Sequence, residues 1–163
     1  MHVVAGLAQG QSYAAPKEPA VLSQQGCKYS PHVFVVRAGQ PLRVQNPDKI
    51  LHNIKALPVV NSQFNKSTSK ERPEVEVIFD KTEAPFPFQC DVHGWMQAWC
   101  AVLDHPFYAV TDAAGTFSIQ DLPAGDYEIE FWHERLGAQR MKVSVPADGC
   151  TATDAVFTRP KSE

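Results

Sequence analysis

A cysteine, a histidine and a methionine stand three residues apart in "FQCDVHGWMQAW", at Cys90, His93 and Met96. They offer a thiolate, an imidazole nitrogen and a thioether, all donors for a soft or borderline metal ion. A further donor, His52, lies upstream in "NPDKILHNIKAL". Two imidazoles and one thiolate in a trigonal plane, with a weak thioether on the axis, form an electron-transfer copper site. A short loop cannot surround an ion alone, so one donor has to come from a separate loop, and His52 supplies it. The donor set narrows the metal. Thiolate with thioether disfavours magnesium, calcium and manganese, and structural zinc takes further Cys or His in preference to Met. A binuclear copper site needs two cysteines in the same loop, and haem attachment needs Cys-x-x-Cys-His. The loop has Cys90 alone. One copper ion is therefore expected at His52, Cys90, His93 and Met96.

These residues need elements to hold them. A spacing of three looks helical, but the flanks argue otherwise. Phe86, Phe88 and Cys90 alternate with Pro85 and Pro87 at strand period, and Gly94 sits in the middle of the motif. A strand entering a tight loop fits better. Strand signals recur along the chain. Val33 and Val35 alternate with Phe34 and Val36, then "RAGQ" turns the chain into Leu42 and Val44. Val75, Val77 and Phe79 alternate with Glu74, Glu76 and Ile78, and Trp99 to Leu103 is a short apolar run. The polar segment Asn61 to Arg72 reads as a loop with at most one turn of helix. No stretch keeps helical periodicity over three turns. Many short strands punctuated by 13 prolines and 9 glycines predict an all-β sandwich or barrel.

A second cycle of strands follows Leu103. "TDAAGTFSI" holds a turn at Ala114-Gly115, with Phe117 and Ile119 on one face of a strand. "LPAGDYEIEFW" sends Tyr127, Ile129 and Phe131 one way and Glu128, Glu130 and Trp132 the other. "RMKVSV" repeats the alternation through Met141, Val143 and Val145. These are antiparallel hairpin signals. A boundary near Asp104 gives two units, 1–104 and 105–163. No Gly/Ser linker separates them, so a packed pair is expected.

Bulk properties exclude several classes. Net charge is −3 over 163 residues with the signs mixed, so no basic patch points to nucleic acid. No apolar run approaches the roughly 20 residues of a spanning helix. "MHVVAGLAQGQ" lacks the basic start and long apolar core of a secretory leader, and the sequence is expected to begin after a removed segment.

"YSPHVFVVRAGQPLRVQNPDKILHNI" and "FPFQCDVHGWM" resemble the cupredoxins, the plastocyanin and amicyanin group of blue copper proteins, from about Gly26 to Leu103. The Cys-x-x-His-x-x-Met loop is similar to that of amicyanin. "VTDAAGTFSIQDLPAGDYEIEFWHE" resembles the carboxypeptidase regulatory-like, transthyretin-like sandwich. The resemblance implies a Greek-key cupredoxin sandwich followed by a smaller packed antiparallel β-sandwich. It implies one type 1 copper ion at His52, Cys90, His93 and Met96, with Asn53 tying the two ligand loops together by hydrogen bonds. It also implies electron exit at the edge of His93, flanked by Gly94 and Trp95, toward a redox partner met transiently. By the same resemblance Cys27 and Cys100 both point inward, Cys27 from a strand. A Cys27–Cys100 disulfide, buried free thiols, or Cys27 joining the copper sphere all fit. Cys150 is a turn residue without an evident partner.

The expected function is one-electron transport through Cu(II)/Cu(I) cycling, not enzymatic catalysis, in the periplasm or outside the cell. Copper storage and delivery is the first alternative. An extracellular recognition module with a vestigial copper site is the second.

Overall fold

The computed structural model describes residues 1–8 and 10–159. Twelve strands follow in chain order: β1 His2–Ala5, β2 Ala20–Gln24, β3 Tyr29–Ser30, β4 Val33–Arg37, β5 Pro41–Gln45, β6 His52–Ala56, β7 Phe64–Thr68, β8 Glu74–Ile78, β9 Glu83–Gln89, β10 Gln97–Leu103, β11 Gly125–His133 and β12 Gly137–Val145. No helix occurs among the described residues, and so none long and apolar enough to cross a membrane. The all-β expectation holds. The strands divide between Ser12–Pro106 and a second unit built from Met1–Gln11 with Phe107–Glu163. The expected boundary placed residues 1–104 together. The first strand instead pairs with β11, a long-range partnership that nothing local in "HVVA" signals.

The larger unit holds two sheets. One has the order β4-β10-β9-β6-β7 and the other β3-β2-β5-β8. Pairing is antiparallel apart from β10 with β4 and β2 with β5. Inward-facing residues of both sheets form one apolar cluster, including Leu22, Val36, Leu42, Val44, Ile54, Phe86, Phe88 and Val102. That is the core of a β-sandwich, and period-2 alternation is what places it there. The turn read at "RAGQ" closes with the Gln40 N–H donating to Arg37 O at 2.8 Å. Prolines are rare in inner strands because they cannot donate to the ladder. β9 carries two, yet β6 meets it only at Lys55 opposite Gln89 and Ala56 opposite Phe88, so little pairing is interrupted.

The segment expected as a loop, Asn61 to Arg72, contains a strand. β7 pairs residue for residue with β6, from His52 opposite Thr68 to Ala56 opposite Phe64. It is an edge strand, so its outer side tolerates Asn65 and Lys66, and only Thr68 is fully buried. A half-solvated edge has little hydrophobic alternation to read.

Glu83 opens β9 and is buried. Its carboxylate accepts from the backbone N–H groups of Val59, Val60 and Asn61 and from Asn61 Nδ2, the last three at 2.9, 2.9 and 2.8 Å. Burial alone would raise its pKa, but these donors outweigh it and hold the group below its ordinary value. A depressed folded-state pKa gives stabilisation that is complete above the unfolded value, about 4.3, and is lost as pH falls through the folded one. Glu83→Gln is therefore expected to lower the thermal midpoint at neutral pH. The gap to wild type should close as the pH drops below about 4.3. Melting both proteins across that range checks it, and coincident midpoints at neutral pH would refute it.

The second unit is a three-stranded antiparallel sheet, β1-β11-β12. Tyr127, Ile129 and Phe131 are buried as their alternation required. β1 lies so close to β11 that a Cβ on Gly6 would stand 2.2 Å from Asp126 O, and Gly6 has φ +101°; no side chain fits there. The turn at Ala114-Gly115 forms, with Asp112 Oδ1 accepting from the Ala114 and Thr116 N–H groups. The strand expected after it does not. Residues 116–120 make no ladder, although Phe117 meets Phe131 edge-on at 5.6 Å. The apolar anchor is present without a neighbouring strand to pair with.

Candidate metal centre

The loop that joins β9 to β10 carries Cys90, His93 and Met96. Gln89 pairs with Gln97 at its base, the Cys90 N–H donates to Met96 O at 3.2 Å, and the Met96 N–H donates to His93 O at 2.9 Å. These bonds bend the seven residues from Cys90 to Met96 back on themselves. Cys90 and Met96 end up side by side in the chain path, both buried and both counted in the apolar core. His93 is left half-buried at the turn, with Gly94 and Trp95 exposed.

His52 opens β6 and is fully buried. The loop before it is held by a buried polar network. Asn46 Nδ2 donates to Ile50 O at 2.7 Å and to Thr68 Oγ1 at 3.2 Å, and Thr68 Oγ1 donates to Gln24 Oε1 at 2.7 Å. Gln24 Nε2 and Tyr29 Oη donate to Asn53 O, at 3.2 and 2.7 Å. Buried polar groups of this kind are costly unless all are paired, and once paired they fix one arrangement. Burial raises the Tyr29 phenol well above its ordinary value, with the neighbouring Cys90 charge acting the same way. Tyr29 is therefore a donor at any physiological pH.

The two imidazoles meet. His52 Nδ1 lies 3.0 Å from His93 Nδ1, with ring centroids 4.7 Å apart and planes at 57°. Metal–imidazole bonds are about 2.0–2.1 Å, so two nitrogens that share an ion at roughly a right angle stand about 3 Å apart. On its other side His52 Nε2 lies 3.2 Å from Asp48 Oδ2. With its proton on Nε2, given to Asp48, the ring turns a lone pair on Nδ1 toward His93. A carboxylate behind the histidine is the support that metal-bound imidazoles commonly have. The Asp48 carboxyl is held below its usual range, first by the Cys27 N–H and also by Gly26 and His52.

Asn53 hydrogen-bonds to residues of both neighbouring segments. Its Nδ2 donates to Asn65 Oδ1 at 2.7 Å and to Asp91 Oδ2 at 3.1 Å, while its Oδ1 accepts from the Asp91 and Val92 N–H groups at 2.6 and 3.4 Å.

Cys27 lies elsewhere than the resemblance implied. It is not on a strand but in the turn between β2 and β3, at φ +52°. The Cys27–Cys100 disulfide does not form, since all four cysteines are free. Cys100 is fully buried on β10, where burial pushes its thiol pKa well up. Cys27 Sγ lies 3.9 Å from His93 Nε2. Among the described residues, Cys27, His52 and His93 form a group with one donor atom each, all within 4.8 Å of one another. Cys90 does not enter that group. Asp48 went unremarked in the sequence, although "NPDKILH" places it in an Asn-Pro turn four residues before His52. His32 bonds Gln97 O at 3.0 Å through Nδ1.

No protein-family model matches the chain, and no curated protein matches it. Among solved structures it is similar to a copper-containing nitrite reductase from Thermus scotoductus SA-01, at 17% identity and TM-score 0.48. That match covers 62% of this chain and 26% of the reductase. A mutant of amicyanin in its Cu(I) form is similar at 15% identity and TM-score 0.46, over 60% of this chain and 97% of amicyanin. A purple cupredoxin from Nitrosopumilus maritimus is similar at 20% identity and TM-score 0.43, over 51% of this chain and 98% of that protein.

Proposed function

We propose that the chain is a mononuclear copper protein of type 1 character that carries single electrons, with His52, Cys90, His93 and Met96 as ligands. The observation that carries this reading is the pair of facing Nδ1 atoms at 3.0 Å. It is backed by the carboxylate behind His52 and by two sulfur residues closing the same loop. The chemistry of the donors suits copper, since thiolate and thioether favour Cu(I) while two imidazoles accommodate Cu(II). When bound, copper supplies the one-electron couple. The protein's part is rigidity: His52 is locked by Asp48, and the Cys90–Met96 turn is locked by its own backbone bonds and by Asn53. A shell that does not rearrange lets an electron enter and leave with little reorganisation.

His93 is the partly exposed ligand and the exit for the electron. Its ring meets Trp95 edge-on at 5.3 Å, and Trp95 is 69% exposed. Ile50, Leu51 and Val92, from the two ligand loops, are exposed as well. An apolar rim of this sort suits a small, short-lived contact with a redox partner protein. The reading makes the protein a carrier and not an enzyme, working in the periplasm or outside the cell, with a transthyretin-like second unit.

The test is to titrate the purified protein with Cu(II) and record its visible absorption and paramagnetic resonance. An intense thiolate-to-copper band is expected. Cys90→Ser should remove most of it and leave the circular dichroism unchanged, because the strands do not depend on the ion. A protein that ignores Cu(II), or a band indifferent to Cys90, would defeat the assignment. A carrier also retains copper in both oxidation states, whereas a delivery protein surrenders Cu(I) to a competing chelator.

A further inference from the structure

We propose that Cys27 is an additional ligand, placing a second thiolate on the ion held by His52 and His93. This rests on the copper reading above and adds a donor to it. Three observations carry it. The first is placement: Cys27 Sγ is within 4.8 Å of a ring nitrogen of both histidines. Donors on opposite sides of one ion stand about 4–4.5 Å apart, given metal–nitrogen and metal–sulfur bonds of about 2.0 and 2.3 Å.

The second is that the turn is held from both ligand loops. Asp48 receives the Gly26 N–H at 2.8 Å and the Cys27 N–H at 2.9 Å. The same carboxylate orients His52. From the other loop, Trp95 Nε1 donates to Cys27 O at 2.9 Å. Cys27 is thus clamped between the segments that deliver the two histidines. The third is its backbone. A β-carbon at φ +52° is disfavoured, and such strain persists where the surroundings fix it, often at functional sites.

Cys27 binds as the thiolate, its proton passing to solvent, and no electron changes hands in that step. A second thiolate makes the ligand shell more anionic, which favours Cu(II) relative to a site with a single sulfur anion.

The experiment compares the full chain with Cys27→Ser, Cys27→Gly and Cys90→Ser. Glycine suits the backbone angle, so Cys27→Gly keeps the turn even if serine strains it. Anaerobic competition with a chromogenic Cu(I) chelator gives affinity, and X-ray absorption at the copper edge counts sulfur neighbours. Both Cys27 variants are expected to show one sulfur fewer and an affinity lower by at least about tenfold. An unchanged sulfur count and affinity, with the band still lost in Cys90→Ser, would overturn the Cys27 proposal and leave the copper reading intact. Sulfur loss in the Cys27 variants and none in Cys90→Ser would uphold Cys27 and displace Cys90. Wild-type protein that binds no copper would defeat both.

Discussion

Asn53→Ala is expected to lower copper affinity by about 10–100-fold while every proposed ligand remains in place. Asn53 touches no donor atom. Its amide accepts from the Asp91 and Val92 N–H groups and donates to the Asp91 carboxylate and to Asn65 Oδ1, so three of these four hydrogen bonds hold the His52 strand to the ligand loop. Each net hydrogen bond contributes about 0.5–1.5 kcal/mol, and Asp91 and Val92 lie exposed, where water replaces part of the loss. A destabilisation of about 2–3 kcal/mol follows from these values, which leaves a domain of ordinary stability folded. The affinity loss comes from a different source, the freedom given to a loop whose two ends must otherwise meet at one point. Asn53→Asp is the informative companion. It keeps the acceptor for the two N–H groups but sets a carboxylate against that of Asp91, so it should perturb the site more than its near-identical shape suggests. Denaturant titration separates stability from affinity measured by Cu(I) competition. Unchanged affinity in Asn53→Ala would show that the loops hold together without it.

Phe88→Ala is expected to destabilise the larger unit by about 3–5 kcal/mol, the range for removing a fully buried aromatic ring. Phe88 has no exposed surface and sits among Phe34, Phe86, Phe79 and Phe64, with centroids 5.5, 5.7, 6.2 and 6.3 Å away. The cost is transfer of the ring plus the cavity it leaves, and four rings cannot all collapse into that space. Phe88→Leu, which keeps much of the volume, should cost clearly less. Because Phe88 pairs with Ala98 two residues before Cys90, weaker packing here also loosens the base of the ligand loop. Urea unfolding followed by tryptophan fluorescence gives the values. A loss below about 1 kcal/mol would mean the core repacks freely, against the density of protein interiors.

The inner strands and the spacing of Cys90, His93 and Met96 were legible because their causes are local. Period-2 alternation decides which face of a strand is buried, and Val75, Tyr127, Ile129 and Phe131 all obeyed it. A cysteine, histidine and methionine within seven residues need only a turn to approach one another. β7 escaped notice because an edge strand is stabilised by its neighbour's backbone, which its own side chains do not announce. The strand expected at Phe117 failed for the converse reason, since alternation without a partner forms no ladder.

The sequence by itself determined an all-β chain, a loop bearing soft donors and a second imidazole to meet them. Tertiary structure alone decided that β1 joins the C-terminal sheet, that Asp48 backs His52, and that Cys27 stands 3.9 Å from His93 while Cys100 is buried in the core. Those are long-range facts. Gly26 and Cys27 lie more than twenty residues from Asp48 and more than sixty from His93 and Trp95. Chain closure over such distances is set by which core forms around it, and no local pattern of residues records the result.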